Sequence, residues 1–168
     1  MNVPLLGRLR PEPDGSGWMA CAPISVPLYE GLDLDANIEG IDEADAGEAN
    51  AALQAFLALG TDGRREAQPY VYQHYLRIAK LFGDQLECHI DSPDDVWQHI
   101  HPCSLTLTKR EEDDLIYVQI CGGCDWDAEH GLQMIYRRGR QLSRVSGYDG
   151  HLTHSDAHGL TEDQDRIV

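Results

Sequence analysis

The sequence predicts an α+β fold, an antiparallel β-meander in the C-terminal half packed against two or three helices from the N-terminal half. Two observations carry this. Apolar residues recur at helical spacing between residues 49 and 82. From residue 103 onward, short apolar and β-branched runs follow one another with turn signals between them. A length of 168 residues supports one domain whose core needs neither disulfides nor a metal. That domain is expected over residues 1–160, with 161–168 a polar, frayed tail.

The elements follow in order. Residues 17–28 read as an extended edge arm, because Pro23 and Pro27 cannot donate to a ladder. Glu30 to Glu48 is a dense acidic stretch interrupted by small residues and by Leu32, Leu34, Ile38 and Ile41, and is expected as a solvated loop. Ala49, Ala52, Leu53, Phe56 and Leu57 mark a first helix that Gly60 can stop. A second helix is expected to begin near Pro69, a favoured first-turn residue, and to end at Gly83. Its apolar stripe is Tyr72, Tyr75, Leu76, Ala79 and Phe82. Ser92-Pro93-Asp94-Asp95 combines a capping hydroxyl, a proline and first-turn acids, and opens a short helix through Trp97.

Cys103, Leu105 and Leu107 then alternate with Ser104, Thr106 and Thr108, which is strand spacing. Residues 109–114 form a charged turn, and 115–121 (LIYVQIC) make the strongest strand. Residues 132–137 and 140–146 flank Arg138-Gly139, a tight hairpin turn.

Charge narrows the function classes. The 13 basic and 29 acidic residues give a net charge of −16. Between Pro11 and Gly63 there is no Lys or Arg, while the same stretch holds eleven acids. Nucleic-acid binding is disfavoured, because it needs clustered positive charge, and Arg137, Arg138, Arg140 and Arg144 are the only basic cluster. Docking on anionic membrane is disfavoured for the same reason. No stretch has the apolar length of a transmembrane helix. The first residues lack a basic segment followed by an apolar run, so the expected location is the cytoplasm. Five cysteines, an odd count, argue against a disulfide framework.

The richest chemical constellation is Cys121-Gly122-Gly123-Cys124-Asp125-Trp126-Asp127-Ala128-Glu129-His130-Gly131, expected as a loop between strands. Cys121, Cys124 and His130 are an alternative zinc set, completed by Cys103, His99, His101 or Cys88 through folding. A redox dithiol is disfavoured, since such pairs usually open a helix. Glu129-His130 offers an acid/base pair, although neighbours in a strand point to opposite faces. His151, His154 and His158 form a second cluster, expected in a solvated loop. No phosphate-cradling glycine loop, nucleophile elbow or H-E-x-x-H segment occurs.

The segment 124–132 (CDWDAEHGL), the hairpin Arg138-Gly139 and residues 145–151 (VSGYDGH) resemble a family of small uncharacterised bacterial cytoplasmic proteins. That family shares a W-(D/E)-x-EHGL segment, a hairpin glycine and a DGH segment. Trp18, Pro23-Ile24, Val26-Pro27-Leu28, Ala51, Phe56-Leu57 and Leu59 also fit it. The resemblance implies an α+β protein without established activity, and some similar proteins are immunity-like proteins beside polymorphic toxins. It assigns no catalytic residue. The resulting expectation is a non-enzymatic binding protein, an immunity protein that neutralises a cognate toxin with a basic surface. The contact residues would be Glu30, Asp33, Asp35, Glu39, Asp42, Glu43 and Asp45, with Asp125, Asp127, Glu129 and His130 second. No cofactor is expected on that reading. The alternatives are a zinc-binding protein or small enzyme centred on Cys121–His130, and a scaffold or regulator without a toxin partner.

Overall fold

The computed structural model describes residues 2–11 and 19–168. Strands β1 (Asn2–Val3) and β2 (Gly7–Arg8) pair as a small ribbon. The main sheet contains β3 (Arg10–Pro11), β4 (Met19–Ala20), β5 (Ile24–Val26), β6 (Leu32–Glu39), β7 (Ile100–Lys109), β8 (Ile116–Cys124), β9 (Asp127–Arg137) and β10 (Gln141–Ser146). Its order is β10-β9-β8-β7-β6-β4-β3, with β5 also paired to β6. The extended arm is seen as β4 and β5 along the outer edge of β6. Gly17 and Trp18, like Glu12 and Asp14, lie outside the described residues.

The fold is α+β, and the meander is β7 to β10, each strand antiparallel to the next. Strand β6 adds a parallel pairing to β7, from Asp35 opposite Ser104 to Glu39 opposite Thr108. Parallel neighbours need a long crossover, and helices α1 (Ala46–Leu57) and α2 (Gly60–Phe82) supply it.

The acidic stretch is therefore not a loop through its length. Residues 32–39 alternate with period two: Leu34, Ala36 and Ile38 are buried, while Asp33 and Asp35 are exposed and Glu39 is half-buried. One face of the strand enters the core and the other faces away from it. The charge of the stretch conceals an ordinary alternating strand.

The second helix is also longer than expected. It begins at Gly60, and Pro69 lies inside it on the exposed side. Pro removes one helical hydrogen bond and crowds the preceding turn. Complete burial of Ala67 and Val71 on either side holds the helix together. The core-facing stripe is Gly63, Ala67, Val71, His74 and Tyr75, whereas Leu76 and Phe82 are exposed. After α2, Ser92 accepts from the Asp94 N–H at 3.2 Å and caps a short 3-10 helix over Pro93–His99, as its sequence predicts.

The helices cover one face of the sheet. Leu105, Leu107, Val118, Ile120, Met134 and Val145 form the floor of this core. Phe56 of α1 meets Tyr136 edge-on at 5.1 Å. Trp126 is 2% exposed, and its ring N–H donates to His74 Nδ1 at 3.1 Å.

On the opposite face, the chain after β10 folds back over a polar layer. Gln119 donates to Gln133 at 2.6 Å, and Gln133 donates to Ser146 and Asp149. The histidine segment is a short helix, α3 (His154–His158), rather than a solvated loop, because Thr153 caps it through the Asp156 N–H at 3.0 Å. Residues 161–168, expected to fray, are instead tied down. Val145 N–H donates to the Ile167 carbonyl at 2.6 Å, Ser155 N–H donates to Asp165, and Arg166 Nε donates to His154 Nε2.

Arg110 is the anchor of this covering segment. It is 3% exposed, and its Nε and Nη2 grip the Asp156 carboxylate at 2.9 and 2.6 Å. Nη2 also donates to Glu162 in the tail. Removing one partner of a buried charge cluster leaves the others uncompensated. Arg110→Met is expected to lower the unfolding free energy by about 3 kcal/mol. It is also expected to open residues 161–168 to carboxypeptidase, which mass spectrometry of the digest reads directly.

Candidate functional site

The acids singled out from the sequence divide into those with internal work and those without. Glu30 sits in the left-handed region (φ 59°) after the turn at 27–29 and pairs with Arg64 at 3.0 Å. Arg64 in turn lies over the Tyr29 and Trp97 rings, at 5.6 and 5.4 Å from their centroids. Asp42 accepts from the Ala44 and Asp45 N–H groups in the turn before α1. Asp45 receives both its contacts from Lys109 Nζ, at 3.0 and 3.1 Å, and this hydrogen bonding holds its carboxyl below the usual range. Glu43 is exposed in the same turn. Asp33, Asp35 and Glu39 are different. They occupy alternate positions on the outer face of β6, and among the described residues none makes a hydrogen bond or ion pair through its side chain. Next to Glu39 is a groove lined by Thr108, Lys109, Gln119, Tyr148 and Leu152.

The Cys121–Gly131 segment is not a loop. Cys121 to Cys124 end β8, Asp125-Trp126 make the turn, and Asp127 to His130 begin β9. A strand places residues three apart on opposite faces. Cys124 accordingly packs in the core, while Cys121 is half-buried on the other side, opposite Gln133 in register. Burial pushes both thiols up to about 12. Cys121, Cys124 and His130 therefore do not converge on a common point, and this zinc set is not assembled. His130 is exposed, and its backbone N–H and Nδ1 both meet Asp127 Oδ1, at 3.0 and 3.2 Å. Glu129 is exposed.

The segments that carry the resemblance hold the end of the sheet together. Gly131 adopts φ +63°, and a Cβ there would lie 2.3 Å from the Gly122 carbonyl oxygen. Trp126 anchors on His74. Asp149 takes Arg144 Nη1 at 2.7 Å, Gln133 at 3.0 Å and the His151 N–H at 3.1 Å. Burial alone would raise the Asp149 carboxyl, but the Arg144 and His151 contacts outweigh this and hold it low.

What converges at this end of the sheet is a different set. Cys88, His99 and Asp125 each present one ligand atom, and the three atoms lie within 4.8 Å of one another. The segment carrying Cys88 is fixed at Ile90, whose N–H donates to the Tyr75 hydroxyl at 2.9 Å and whose carbonyl accepts from Tyr72. His99 ends the 3-10 helix, and its carbonyl accepts the Asp125 N–H at 3.0 Å. His99 Nδ1 is 3.7 Å from Cys88 Sγ and 2.9 Å from Asp125 Oδ2. His101 Nε2 meets the other oxygen, Asp125 Oδ1, at 2.6 Å. These histidines hold the Asp125 carboxyl below its ordinary range, and burial, with the nearby Asp125 charge, raises the Cys88 thiol.

This is not a nucleophilic relay. In a Cys-His-Asp triad the two ring nitrogens face different partners. Here one nitrogen, Nδ1, faces both the thiol and the carboxylate. From the sequence, Cys88, His99 and His101 stand as completions of the Cys121–Cys124 pair, and His99 and His101 also as partners of the His151–His158 cluster; neither grouping is the one that assembles here. The short H-x-H spacing at 99–101, at the start of the strand whose first residues pair with Gly123 and Cys124 just before Asp125, is the signal available in the sequence.

Among the described residues no helix is long and apolar enough to cross a membrane. No curated protein and no solved structure matches the chain. The acidic strand, the Cys88–His99–Asp125 cluster and the hairpins all fall within one matched region: residues 5–152 match the family model described as a domain of unknown function, DUF6985, and the chain belongs to that family.

Proposed function

We propose that the protein is a non-enzymatic binding protein in which the acidic face of strand β6 engages a basic protein surface. The observation that carries this is the contrast among the acids. Glu30, Asp42 and Asp45 are consumed by internal contacts. Asp33, Asp35 and Glu39 stand in a row on one strand face without an internal partner among the described residues. Unpaired carboxylates at alternate strand positions repel one another, and a basic partner relieves that repulsion. The groove beside Glu39 adds the Tyr148 ring and the Gln119 amide, chemistry suited to a guanidinium. A chain of net charge −16 also steers a cationic partner at high on-rate.

The resemblance to immunity-like proteins makes a cognate toxin domain the partner. Covering or distorting the active site of the toxin would then be steric and electrostatic, and no residue of this chain need act chemically. The setting is the cytoplasm. Capture from the native cells, with elution by rising salt and mass spectrometry, tests this. A stoichiometric basic partner with a toxin-like domain is expected. A partner lacking any toxin-like domain would transfer the reading to a scaffold or regulator.

A further inference from the structure

We infer that Cys88, His99 and Asp125 form a mononuclear zinc site, with His101 orienting the carboxylate from outside. The site is independent of the acidic strand. Tetrahedral zinc with Zn–S near ~2.3 Å and Zn–N and Zn–O near ~2.0–2.1 Å sets S···N at about 3.6 Å and N···O at about 3.3 Å. The Cys88–His99 separation of 3.7 Å already matches, and the His99–Asp125 separation of 2.9 Å needs only a small opening. A thiolate, an imidazole and one carboxylate select a borderline metal such as zinc over magnesium or calcium, which take oxygen sets.

The surroundings are arranged as a metal site requires. Ligating carboxylates are commonly held by a hydrogen bond to their other oxygen, and His101 Nε2 provides it at 2.6 Å. The ligands come from three separate places, the segment after α2, the end of the 3-10 helix and the β8–β9 turn. Each is pinned by backbone contacts that do not involve the ligating atoms: Ile90 to Tyr72 and Tyr75, and Asp125 N–H to the His99 carbonyl. Gly122 allows this assembly, since a Cβ there would lie 2.3 Å from the His101 carbonyl oxygen. Three protein ligands at a partly exposed position leave the fourth tetrahedral place to water or to an incoming ligand.

The test is titration of untagged, reduced protein with cobalt(II) and, separately, zinc(II). One equivalent of cobalt is expected to bind and to give a thiolate-to-cobalt charge-transfer band, displaced by one equivalent of zinc. Cys88→Ser should abolish the band, with folding checked by circular dichroism. His99→Ala and Asp125→Asn should each weaken zinc binding by at least about 10-fold. His101→Ala should weaken it by about 10–100-fold while keeping the band, the effect of a lost outer partner. Cys103→Ser and Cys121→Ser should change nothing. Absence of stoichiometric binding would overturn the inference. So would a band that survives Cys88→Ser, or one lost with Cys121→Ser.

Discussion

Gly139→Ala is expected to lower the unfolding free energy by about 4 kcal/mol, the largest single-residue effect among the glycines discussed. Two causes add. Gly139 holds φ +67° at the tip of the β9–β10 hairpin, where an L side chain is strained. A Cβ there would also lie 1.9 Å from the Ala52 carbonyl oxygen and 2.8 Å from its carbon, inside the backbone of α1. Helix backbone does not yield as a flexible side chain does, so hairpin and helix must separate. That separation reaches the core, because Ala52 and Phe56 of α1 are buried there and Phe56 packs on Tyr136. Gly150→Ala is the matched control: it shares a positive φ of +78° but meets nothing within 4 Å. It should lose only about 1 kcal/mol. Urea titration of the two variants measures both, and equal losses would show that the close approach of α1 is wrong.

Acidification from pH 7 to pH 4 is expected to remove about 3 kcal/mol of stability through His74 alone. Burial in the core, with the nearby Arg77 charge, lowers its pKa from 6.5 to about 4 against the opposing pull of Asp127. Its Nδ1 is already used as the acceptor for the Trp126 ring N–H, which requires the neutral ring. Between about pH 6.5 and 4 the unfolded chain therefore binds a proton that the folded chain does not. The stability is fully present above 6.5 and falls as pH drops through 4. The carboxyls of Asp45, Asp125, Asp149 and Asp156 are all held low in the folded state, so their contributions are lost only below the usual carboxylate range. The two windows thus separate. His74→Asn keeps an acceptor for Trp126 and cannot titrate. It should flatten the stability profile between pH 6.5 and 4, and a slope identical to that of the unaltered protein would contradict the assignment.

The meander was legible because its strands carry their own punctuation. Ser104, Thr106 and Thr108 alternate with Leu105 and Leu107, and Arg138-Gly139 supplies the positive φ values of 51° and 67° that the turn needs. Strand β6 was not legible, since its charge density masked a two-residue period, L-D-L-D-A-N-I-E. The start of α2 was misplaced because Pro69 is a strong local signal overridden by burial of Ala67 and Val71. The cluster at Asp125 could not be read by spacing. Its members are separated by up to 37 positions in sequence and meet only when the segment after α2 crosses the β8–β9 turn. The frayed tail failed for a related reason: Arg110, a single residue in a charged turn, collects partners from distant Asp156 and Glu162.

Asp33, Asp35 and Glu39 are the proposed contact surface. The most direct measurement is the affinity of the captured partner for the unaltered protein and for Asp33→Asn/Asp35→Asn/Glu39→Gln across a salt series. These side chains face outward and have no internal partner among the described residues, so the fold should survive the changes. Binding at least about 10-fold weaker, carried by a slower on-rate, and a flatter dependence on salt are expected. Unchanged affinity with an unchanged salt slope would contradict that proposal and place the contact surface elsewhere on the molecule.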